Sequence, residues 1–564
     1  MKHINIRHRK KLYHAGMYLA FLQLLFIMFI TGCTQKENEQ VNRTVFRYNE
    51  SKGIATLDPA YARSQTIIWP VNQLYNGLVQ LSDSLTIEPC IARSWEISDS
   101  GKLYTFHLRQ DVYFHPDSLF GPSGTRTVNA HDVLFSLNRI SDPGTASPGA
   151  WIFHDLKRDA ENNQTGMRAI NDSTLLIFLK KSFPGFLGIL TMQYCDVVAP
   201  EVVRYYGKDY RTHPIGTGPF KLKLWKEGEK LVMVKNLHYF EKDSSGKQLP
   251  FLDAVAITFI ADKQSEFLEF MKGNIDFLSG VNPAYKDELI TRSGQFNQQH
   301  ADRFKMITEP YLNTEYLGIL VDTSLSIAKN SPLKSRAVRQ ALNYGFDRKK
   351  MMMYLRNNLG TPANAGFIPK GLPSYDPQKV KGYYFDHDKA RSLLKEAGYG
   401  PENEIPPVTL TTTSDYLDLC EYIQHEVAGL GIEINIEVAT GATFREMVAN
   451  SKVNFFRGSW IADYPDAENY LALFYSKNFS PSGPNYTHFS NNSYDSLYNK
   501  ALQETDRIKR IQLYRKMDEL IIREAPVIPL YYDVVVRFTR KEVTGLGSNP
   551  LNLLSLKKVR IAND

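Results

Sequence analysis

Alternating apolar and polar residues in the first half of the chain predict short strands joined by tight turns. Residues 94–97 and 104–109 alternate with period two on either side of Asp99-Ser100-Gly101, and this spacing is typical of a β-hairpin. Residues 130–140 instead carry apolar side chains at helical spacing, and Asn129 is suited to cap their first turn. The region therefore predicts antiparallel strands followed by a helix.

The second half of the chain alternates between strand and helix patterns. Residues 408–412 predict a strand, residues 416–430 an amphipathic helix that stops at Gly431, and residues 432–438 a second strand. This order is typical of an α/β protein. The other predicted strands are residues 174–179 and 220–225, and the other predicted helices are residues 335–344, 389–397 and 507–524.

Residues 453–474 combine one cation, one indole and one anion within a few positions. An apolar segment that contains Arg457 runs through a Gly-Ser break to Trp460, reaches Asp463 three residues later and continues into a helical pattern. In α/β proteins, a loop between a strand and a helix commonly presents ligand-binding groups. The alternative is that Arg457 and Asp463 are solvated loop charges, and this stretch alone leaves both interpretations open.

The N-terminal residues have the order of an export and anchoring signal. Basic residues precede an apolar run over residues 17–30, which is short for a spanning helix and typical of a secretory signal. The run ends at Ile30-Thr31-Gly32-Cys33, which resembles the bacterial lipobox. We therefore expect a signal peptide over residues 1–32, lipid attachment at Cys33 and a polar tether over residues 33–41. No later apolar stretch reaches about 20 residues.

Length and charge narrow the class of protein. At 564 residues, with 43% hydrophobic and 23% charged residues, the chain is predicted to fold into two or more lobes. The five basic residues before the apolar run account for most of the formal net charge of +7, which leaves +2 for the remainder. Charge therefore gives no support for a nucleic-acid partner.

The cysteines predict neither a disulfide framework nor a zinc site. Once Cys33 is set aside, Cys90, Cys195 and Cys420 remain, and none lies in a Cys-x-x-Cys motif. We expect buried thiols, and a Cys90–Cys195 bond is the alternative for an exported protein.

The motifs of common enzyme classes are missing from the sequence. His425-Glu426 is followed by Gly429 at the position where a zinc protease needs its second His. The chain has no Gly-x-Ser-x-Gly elbow and no P-loop. Gly216-Thr217-Gly218 precedes a strand rather than a helix, so we interpret it as a structural turn. The sequence therefore predicts a protein that is not an enzyme.

A series of short motifs extends over about 400 residues. They are Leu57-Asp58-Pro59, Tyr75-Asn76-Gly77-Leu78, residues 92–114, Ala130-His131-Asp132-Val133, residues 142–148, Gly216-Thr217-Gly218-Pro219-Phe220, Gly273-Asn274-Ile275-Asp276, Val338-Arg339-Gln340-Ala341-Leu342, residues 389–398 and Trp460-Ile461-Ala462-Asp463-Tyr464. In this order they resemble the extracytoplasmic solute-binding proteins of peptide and nickel ABC transporters, of the oligopeptide- and dipeptide-binding type. Any one motif is weak, but the ordered set is specific.

The resemblance implies an α/β fold, a two-lobed periplasmic-binding-protein clamp of type II with an extra lobe inserted in the first lobe. Two chain crossings, near Pro310 and Leu530, would form the hinge about which the lobes close on ligand. The implied boundaries are residues 42–79, 200–308 and 530–564 for lobe I, residues 80–199 for the inserted lobe and residues 309–529 for the second clamp lobe.

The resemblance also implies which residues contact a ligand. In peptide-binding members of the family, the acid three residues after the Trp of this motif holds the α-ammonium group, and here that acid is Asp463. Arg457 can meet the carboxylate of a short peptide, and Arg356 serves longer peptides. Ser64 and Gln65 lie in the segment that would pair with the ligand's main chain.

Structural alternatives and departures accompany these assignments. Trp460 belongs to the same motif and is counted with the ligand-binding residues, but a core position is its alternative. For Arg457 and Arg356 the alternative is an ion pair on the surface. Leu417 stands where some oligopeptide binders have a His, and Arg63 where they have an acid. These departures bear on ligand length more than on ligand class.

The implied function is that of a lipid-anchored substrate-binding protein without a cofactor. As a monomer in the periplasm or outside the cytoplasmic membrane, it would capture peptides and deliver them to the permease subunits of an ABC importer. Relatives with this fold take nickel chelate, haem or oligosaccharide. These ligands, and a peptide receptor unconnected to transport, are the alternatives. Asp463 and Arg457 favour a zwitterionic peptide.

Overall fold

The computed structural model describes residues 44–157, 166–282 and 285–562. The predicted signal peptide, the lipid-attachment residue Cys33 and the predicted tether lie outside these residues. Every strand and helix given below lies within them. In chain order the strands are β1 (Val45–Asn49), β2 (Val79–Leu81), β3 (Ile87–Pro89), β4 (Ala92–Ser98), β5 (Leu103–Leu108), β6 (Met167–Asn171), β7 (Thr174–Phe178), β8 (Phe220–Lys226), β9 (Lys230–Lys235), β10 (Ala254–Thr258), β11 (Phe277–Ser279), β12 (Phe304–Ile319), β13 (Thr361–Pro362), β14 (Val408–Thr412), β15 (Ile434–Val438), β16 (Phe455–Ile461), β17 (Val527–Arg540), β18 (Val543–Thr544) and β19 (Arg560–Ile561). The α-helices are α1 (Gln65–Leu74), α2 (Ala130–Ser141), α3 (Phe186–Ile189), α4 (Pro200–Tyr206), α5 (Lys263–Lys272), α6 (Lys286–Leu289), α7 (Ser326–Lys329), α8 (Arg336–Tyr344), α9 (Arg348–Leu355), α10 (His387–Glu396), α11 (Leu417–Ala428), α12 (Gly441–Ala449), α13 (Glu468–Leu471), α14 (Asn492–Gln503) and α15 (Arg507–Glu524).

The predicted hairpin and the predicted capped helix are both confirmed. Strands β4 and β5 pair antiparallel on either side of the turn at residues 99–101. At the start of α2, the Asn129 side chain accepts hydrogen bonds from the N–H groups of His131 and Asp132, and the Asp132 carboxylate accepts one from Asn129 N–H. This reciprocal capping box satisfies amide groups that a helix start otherwise leaves unpaired.

One sheet of eleven strands extends through both halves of the chain. Ten of its strands follow the order β15-β14-β16-β12-β17-β11-β1-β10-β9-β8, and β13 pairs with β17. The pairs of β1 with β10 and β11, and of β14 with β15 and β16, are parallel. Strands β12 and β17 lie in the middle, so they join the strands of the two halves.

The pairing of β12 with β17 is interrupted near the middle of both strands. Residues from Phe304 to Pro310 pair with residues from Val534 to Arg540, and pairing resumes at Thr314 after a register shift. The predicted chain crossing near Pro310 lies at this interruption, and the one near Leu530 lies within β17. A break in a ladder locally weakens the coupling between the two sides.

The predicted inserted lobe contains an antiparallel sheet with the strand order β4-β5-β7-β6. Its buried side chains, including Phe106 and Ile177, belong to the same apolar cluster as Phe46 of β1 and Val255 of β10. Residues 80–199 therefore share a hydrophobic core with the predicted lobe I.

Residues 214–219 form the structural turn that the sequence predicts, and β8 follows it directly. The Gly218 N–H group donates a hydrogen bond of 2.9 Å to the Leu74 carbonyl oxygen. A Cβ atom on Gly216 or Gly218 would overlap the backbone of Leu74. Glycine is required here because two backbone segments approach each other closely.

Cys90, Cys195 and Cys420 are free and buried, as expected from the sequence. The alternative of a Cys90–Cys195 bond is wrong. In the described part of the chain, no helix is both long and apolar enough to cross a bilayer.

Candidate ligand-binding site

The loop that carries Asp463 follows β16 and precedes α13. The predicted Gly-Ser break is wrong, because β16 continues through Gly458 and Ser459 to Ile461. In the ladder with β12, Gly458 lies opposite Tyr316, and Gly318 lies opposite Phe456. Each glycine leaves the space that the opposite aromatic ring occupies, which explains why the strand tolerates them.

Asn469, in the first turn of α13, fixes the position of Asp463. Its side-chain oxygen accepts hydrogen bonds from the Trp460 indole N–H at 2.8 Å and from the Asp463 backbone N–H at 3.2 Å. Its side-chain nitrogen donates to the Asp463 carboxylate at 3.4 Å. Trp460 is half-buried against the apolar core and does not line the cavities described below, so it positions the loop through Asn469.

Asp463 lines a cavity of about 360 Å³ together with Arg63, Ser64, Gln65 and Tyr194. Its carboxylate accepts a hydrogen bond from Asn469 and pairs with no cation among the described residues. Although Asp463 is open to the cavity, the surrounding protein displaces bulk water and raises the pKa of this carboxyl group. A cation that binds beside this partly desolvated carboxylate would stabilise its charged form.

A second cavity of about 1090 Å³ adjoins the first and includes Arg356 in its wall. The residues common to both walls are Ser64, Gln65, Trp69, Tyr311 and Asn552. Both walls combine residues from the first half of the chain with residues from the second half. The structure therefore brings Asp463, Ser64, Gln65 and Arg356 together along one cleft.

Ser64 and Gln65 stand at the start of α1, where backbone amides lack partners within the helix. In the part of the chain that the structure describes, the N–H groups of Ser64 and Gln65 donate no hydrogen bond to a neighbouring residue. The Ser64 hydroxyl group contacts the Thr66 hydroxyl group at 2.9 Å. These two amides are available to a ligand in the cleft.

Arg356 ends α9 and forms an ion pair with Asp418. Its guanidinium group donates to the two Asp418 carboxylate oxygens at 2.8 and 3.4 Å and also to the Leu355 carbonyl oxygen at 2.9 Å. The Arg356 side chain is 22% exposed, so the group still faces the cleft. The ion-pair alternative therefore describes its state in this structure, and contact with a ligand carboxylate stays a prediction.

Arg457 is separate from the cleft wall. Its guanidinium group forms a buried ion pair with Glu315, and the Tyr416 ring covers it at 3.1 Å from the guanidinium carbon to the ring centroid. Glu315 also accepts hydrogen bonds from Asn313 at 2.9 Å and from Ser459 at 3.0 Å. An ion pair is present, as the structural alternative predicts, but it is internal and not on the surface. The role of Arg457 toward a ligand carboxylate remains a prediction.

Asp533 is a cleft residue that the sequence did not indicate. It lines the larger cavity and accepts hydrogen bonds from the Val534 N–H at 2.8 Å and from Asn313 at 3.2 Å. Burial, together with the nearby charge of Glu315, raises the pKa of Asp533 to about 6. Its position in β17, far along the chain from the other acids, left no local pattern to detect.

A polar cleft that runs across the two central strands of an α/β protein defines a two-lobed binding clamp. Residues 86–482 match the family described as bacterial extracellular solute-binding proteins, family 5, middle, and the chain belongs to this family. The predicted fold class, a type II clamp with an inserted lobe, is confirmed. The predicted lobe boundaries remain predictions.

The matches to similar proteins extend over nearly the whole chain. Heme-binding protein A of Haemophilus influenzae is 28% identical over 533 residues, which cover 92% of both chains. Glutathione-binding protein GsiB of Shigella flexneri is 27% identical over 503 residues, which cover 88% of this chain and 90% of that one. The structure of DppA from Helicobacter pylori, an ABC transporter-associated periplasmic binding protein in complex with peptide STSA, has a TM-score of 0.73 and 25% identity over 92% of this chain and 99% of that one. All three relatives are binding proteins.

Proposed function

We propose that this protein captures peptides with a free amino terminus and delivers them to the permease subunits of an ABC importer. A lipid on Cys33 would hold the protein at a bacterial membrane, as the lipobox-like motif indicates. The observation that carries the proposal is the Asp463 carboxylate, which lines the cleft without a cationic partner in the described residues. Peptide STSA bound to the related DppA supports the same ligand class.

The cleft matches the groups of an extended peptide from its amino terminus onward. The ammonium group would bind Asp463, and the amides of Ser64 and Gln65 would pair with ligand carbonyl groups by strand addition. The cleft continues to Arg356, where a ligand carboxylate would share the guanidinium group with Asp418. One cleft wall thus offers partners for an ammonium group, a main chain and a carboxylate.

The test compares alanine peptides of two to six residues with their N-acetylated counterparts by titration calorimetry. Acetylation removes the ammonium group, and losing one partner of a buried charge pair costs about 2–5 kcal/mol. We expect the wild-type protein to bind the acetylated peptides at least about 30-fold more weakly. The variant Asp463→Asn should bind both series equally weakly.

The matched control is Asp388→Asn, because the Asp388 side chain is 97% exposed on α10 and, among the described residues, pairs only with Arg391. It should retain the wild-type difference between free and acetylated peptides. Equal affinity of the wild-type protein for the two series would reject the role of Asp463. Mass spectrometry of ligand that co-purifies from cells would then identify the ligand class directly.

Haem is the second candidate ligand. The 28% identity to heme-binding protein A favours it, and so does the aromatic wall of the larger cavity, which includes Tyr311, Tyr416 and Tyr531. Aromatic walls suit flat apolar ligands. Titration with haem, followed by absorbance, should give no saturable signal if the peptide proposal holds. Saturable haem binding that Asp463→Asn leaves unchanged would favour haem.

A further inference from the structure

A third cavity, of about 390 Å³, adjoins the cavity that contains Asp463. The residues common to the two walls are Leu81, Thr191, Gln193 and Leu553. As the structure describes the two walls, this third cavity has no residue in common with the large cavity that contains Arg356. We call it the side chamber, and it joins the cleft at the Asp463 end.

Asp196 lies in the wall of the side chamber and has no partner for its charge. The residue is only 8% exposed, and its carboxylate forms no hydrogen bond and no ion pair within the described residues. Burial raises the pKa of Asp196 well above its ordinary value. Cys90, Cys195 and Tyr210 are buried near Asp196, and all three are uncharged side chains. An unpaired buried acid of this kind costs free energy that a bound cation recovers.

Of the two lysines in the wall of the side chamber, the less exposed one, Lys557, is already paired. The Lys557 ammonium group donates to the Glu241 carboxylate at 2.6 Å and to the Gln80 side-chain oxygen at 2.8 Å. The remaining charged wall residues are exposed, namely Asp83, Glu88 and Lys558. Asn72, Asn76 and Gln193 add neutral polar groups to the wall. The inner part of the side chamber is therefore polar and carries an uncompensated acid.

We infer that the side chamber binds the cationic side chain of a peptide ligand, a Lys or Arg at one of its first two positions, and that Asp196 is its partner. The inference rests on the proposed function, because a peptide amino group at Asp463 sets where the following side chains point. Successive side chains of an extended peptide point to opposite sides, so one of the first two faces the chamber. Such a ligand supplies the cation that the described residues do not.

The test is calorimetry with the tripeptides Lys-Ala-Ala and Ala-Lys-Ala, each compared with the same peptide carrying norleucine in place of lysine. Norleucine keeps the apolar stem and removes the ammonium group. For one of the two positions, we expect the wild-type protein to bind the lysine peptide at least about tenfold more tightly. The variant Asp196→Asn should lose this preference and bind the norleucine peptide as the wild-type protein does.

Two controls separate charge recognition from a folding defect. Asp196→Asn preserves shape and replaces an unpaired buried acid with a neutral amide, so the thermal unfolding temperature of the ligand-free protein should not fall. The variant Asp172→Asn changes an acid in the same predicted lobe whose side chain is 86% exposed, and it should keep the lysine preference.

The inference and the proposed function fail in different ways. Wild-type protein that binds lysine and norleucine peptides equally, while N-acetylation still weakens binding, overturns the role of Asp196 alone. A lysine preference that persists in Asp196→Asn also overturns it. If no peptide binds, both the inference and the proposed function are wrong.

Discussion

The buried pair of Arg457 and Glu315 tests how this protein tolerates internal charge. Glu315 is 3% exposed, and Arg457 is its only cationic partner among the described ion pairs. The variant Glu315→Gln leaves the Arg457 guanidinium group buried without a counter-charge. We expect the free energy of unfolding, measured by urea denaturation, to fall by about 3–5 kcal/mol.

The exposed pair of Glu446 and Lys452 provides the matched control, since both side chains are more than half exposed. Glu446→Gln should change the free energy of unfolding by less than about 1 kcal/mol. The double variant Glu315→Gln with Arg457→Met removes both buried charges and should be more stable than Glu315→Gln alone. If the single and double variants are equally unstable, the loss comes from packing rather than from an unpaired charge.

At the residue scale, the sequence indicated Asp463 but could not indicate what surrounds it. The spacing of Trp460 and Asp463 is local, so a motif preserves it. Glu315 and Arg457 are 142 residues apart, and only the register of β12 against β16 brings them together. Register depends on the tertiary partner, which alternating residues do not specify. Asn469, six residues after Asp463, was detectable only as a polar residue at a helix start.

At the level of elements, local patterns predicted type and position well. The strand at residues 408–412 and the helix at residues 507–524 agree with β14 and α15 at both ends. The Gly-Ser step in β16 misled the prediction because glycine has a low intrinsic preference for strands. Two neighbouring strands pair with β16, and the Tyr316 ring fills the space beside Gly458, so tertiary context overrides that preference.

The turn before β8 gives a prediction for an element. A Cβ atom on Gly218 would overlap the backbone of Gln73 and Leu74, which cannot move aside as a side-chain end could. Gly218→Ala should therefore lower the free energy of unfolding by about 1–3 kcal/mol in urea denaturation. Gly400→Ala is the control, because a Cβ atom there meets nothing within 4 Å. Equal stability of the two variants would contradict the close approach.

For the whole molecule, the sheet topology explains why a clamp is built from one continuous sheet. Strand β17 pairs with β11 through its last residues and with β12 along most of its length, while β16 pairs with the second part of β12. Each half therefore has its own set of strands, and of the strands that the structure describes only β12 and β17 belong to both. The resemblance implied the two chain crossings near Pro310 and Leu530, but residues 304–319 alone do not indicate which strands pair with them.

The stability of the whole molecule should fall as pH rises from about 4.5 to 7, in part because of Glu468. This residue is 6% exposed, and it accepts hydrogen bonds from the Tyr464 and Tyr498 hydroxyl groups. Burial raises the pKa of Glu468 to about 7, although these hydrogen bonds lower it and Asp466 adds to the rise. The folded state thus holds a proton that the unfolded state releases over this range. The contribution of Glu468 to the free energy of unfolding is complete below the pKa that this residue has in the unfolded state. It is lost, by up to about 3 kcal/mol, as the pH rises through the pKa of the folded state.

The variant Glu468→Gln isolates this effect from other groups that titrate over the same range. Glutamine stays neutral at every pH. The free energy of unfolding of the variant should therefore rise steadily relative to that of the wild type from pH 5 to pH 8. Urea denaturation at four pH values measures it, and Glu433→Gln, an exposed acid before β15, should follow the wild-type profile. Parallel profiles for wild type and Glu468→Gln would show that folding does not raise the pKa of Glu468. Because α13 also carries Asn469, which holds Asp463, a Glu468-dependent loss of stability should loosen the proposed ammonium site as well.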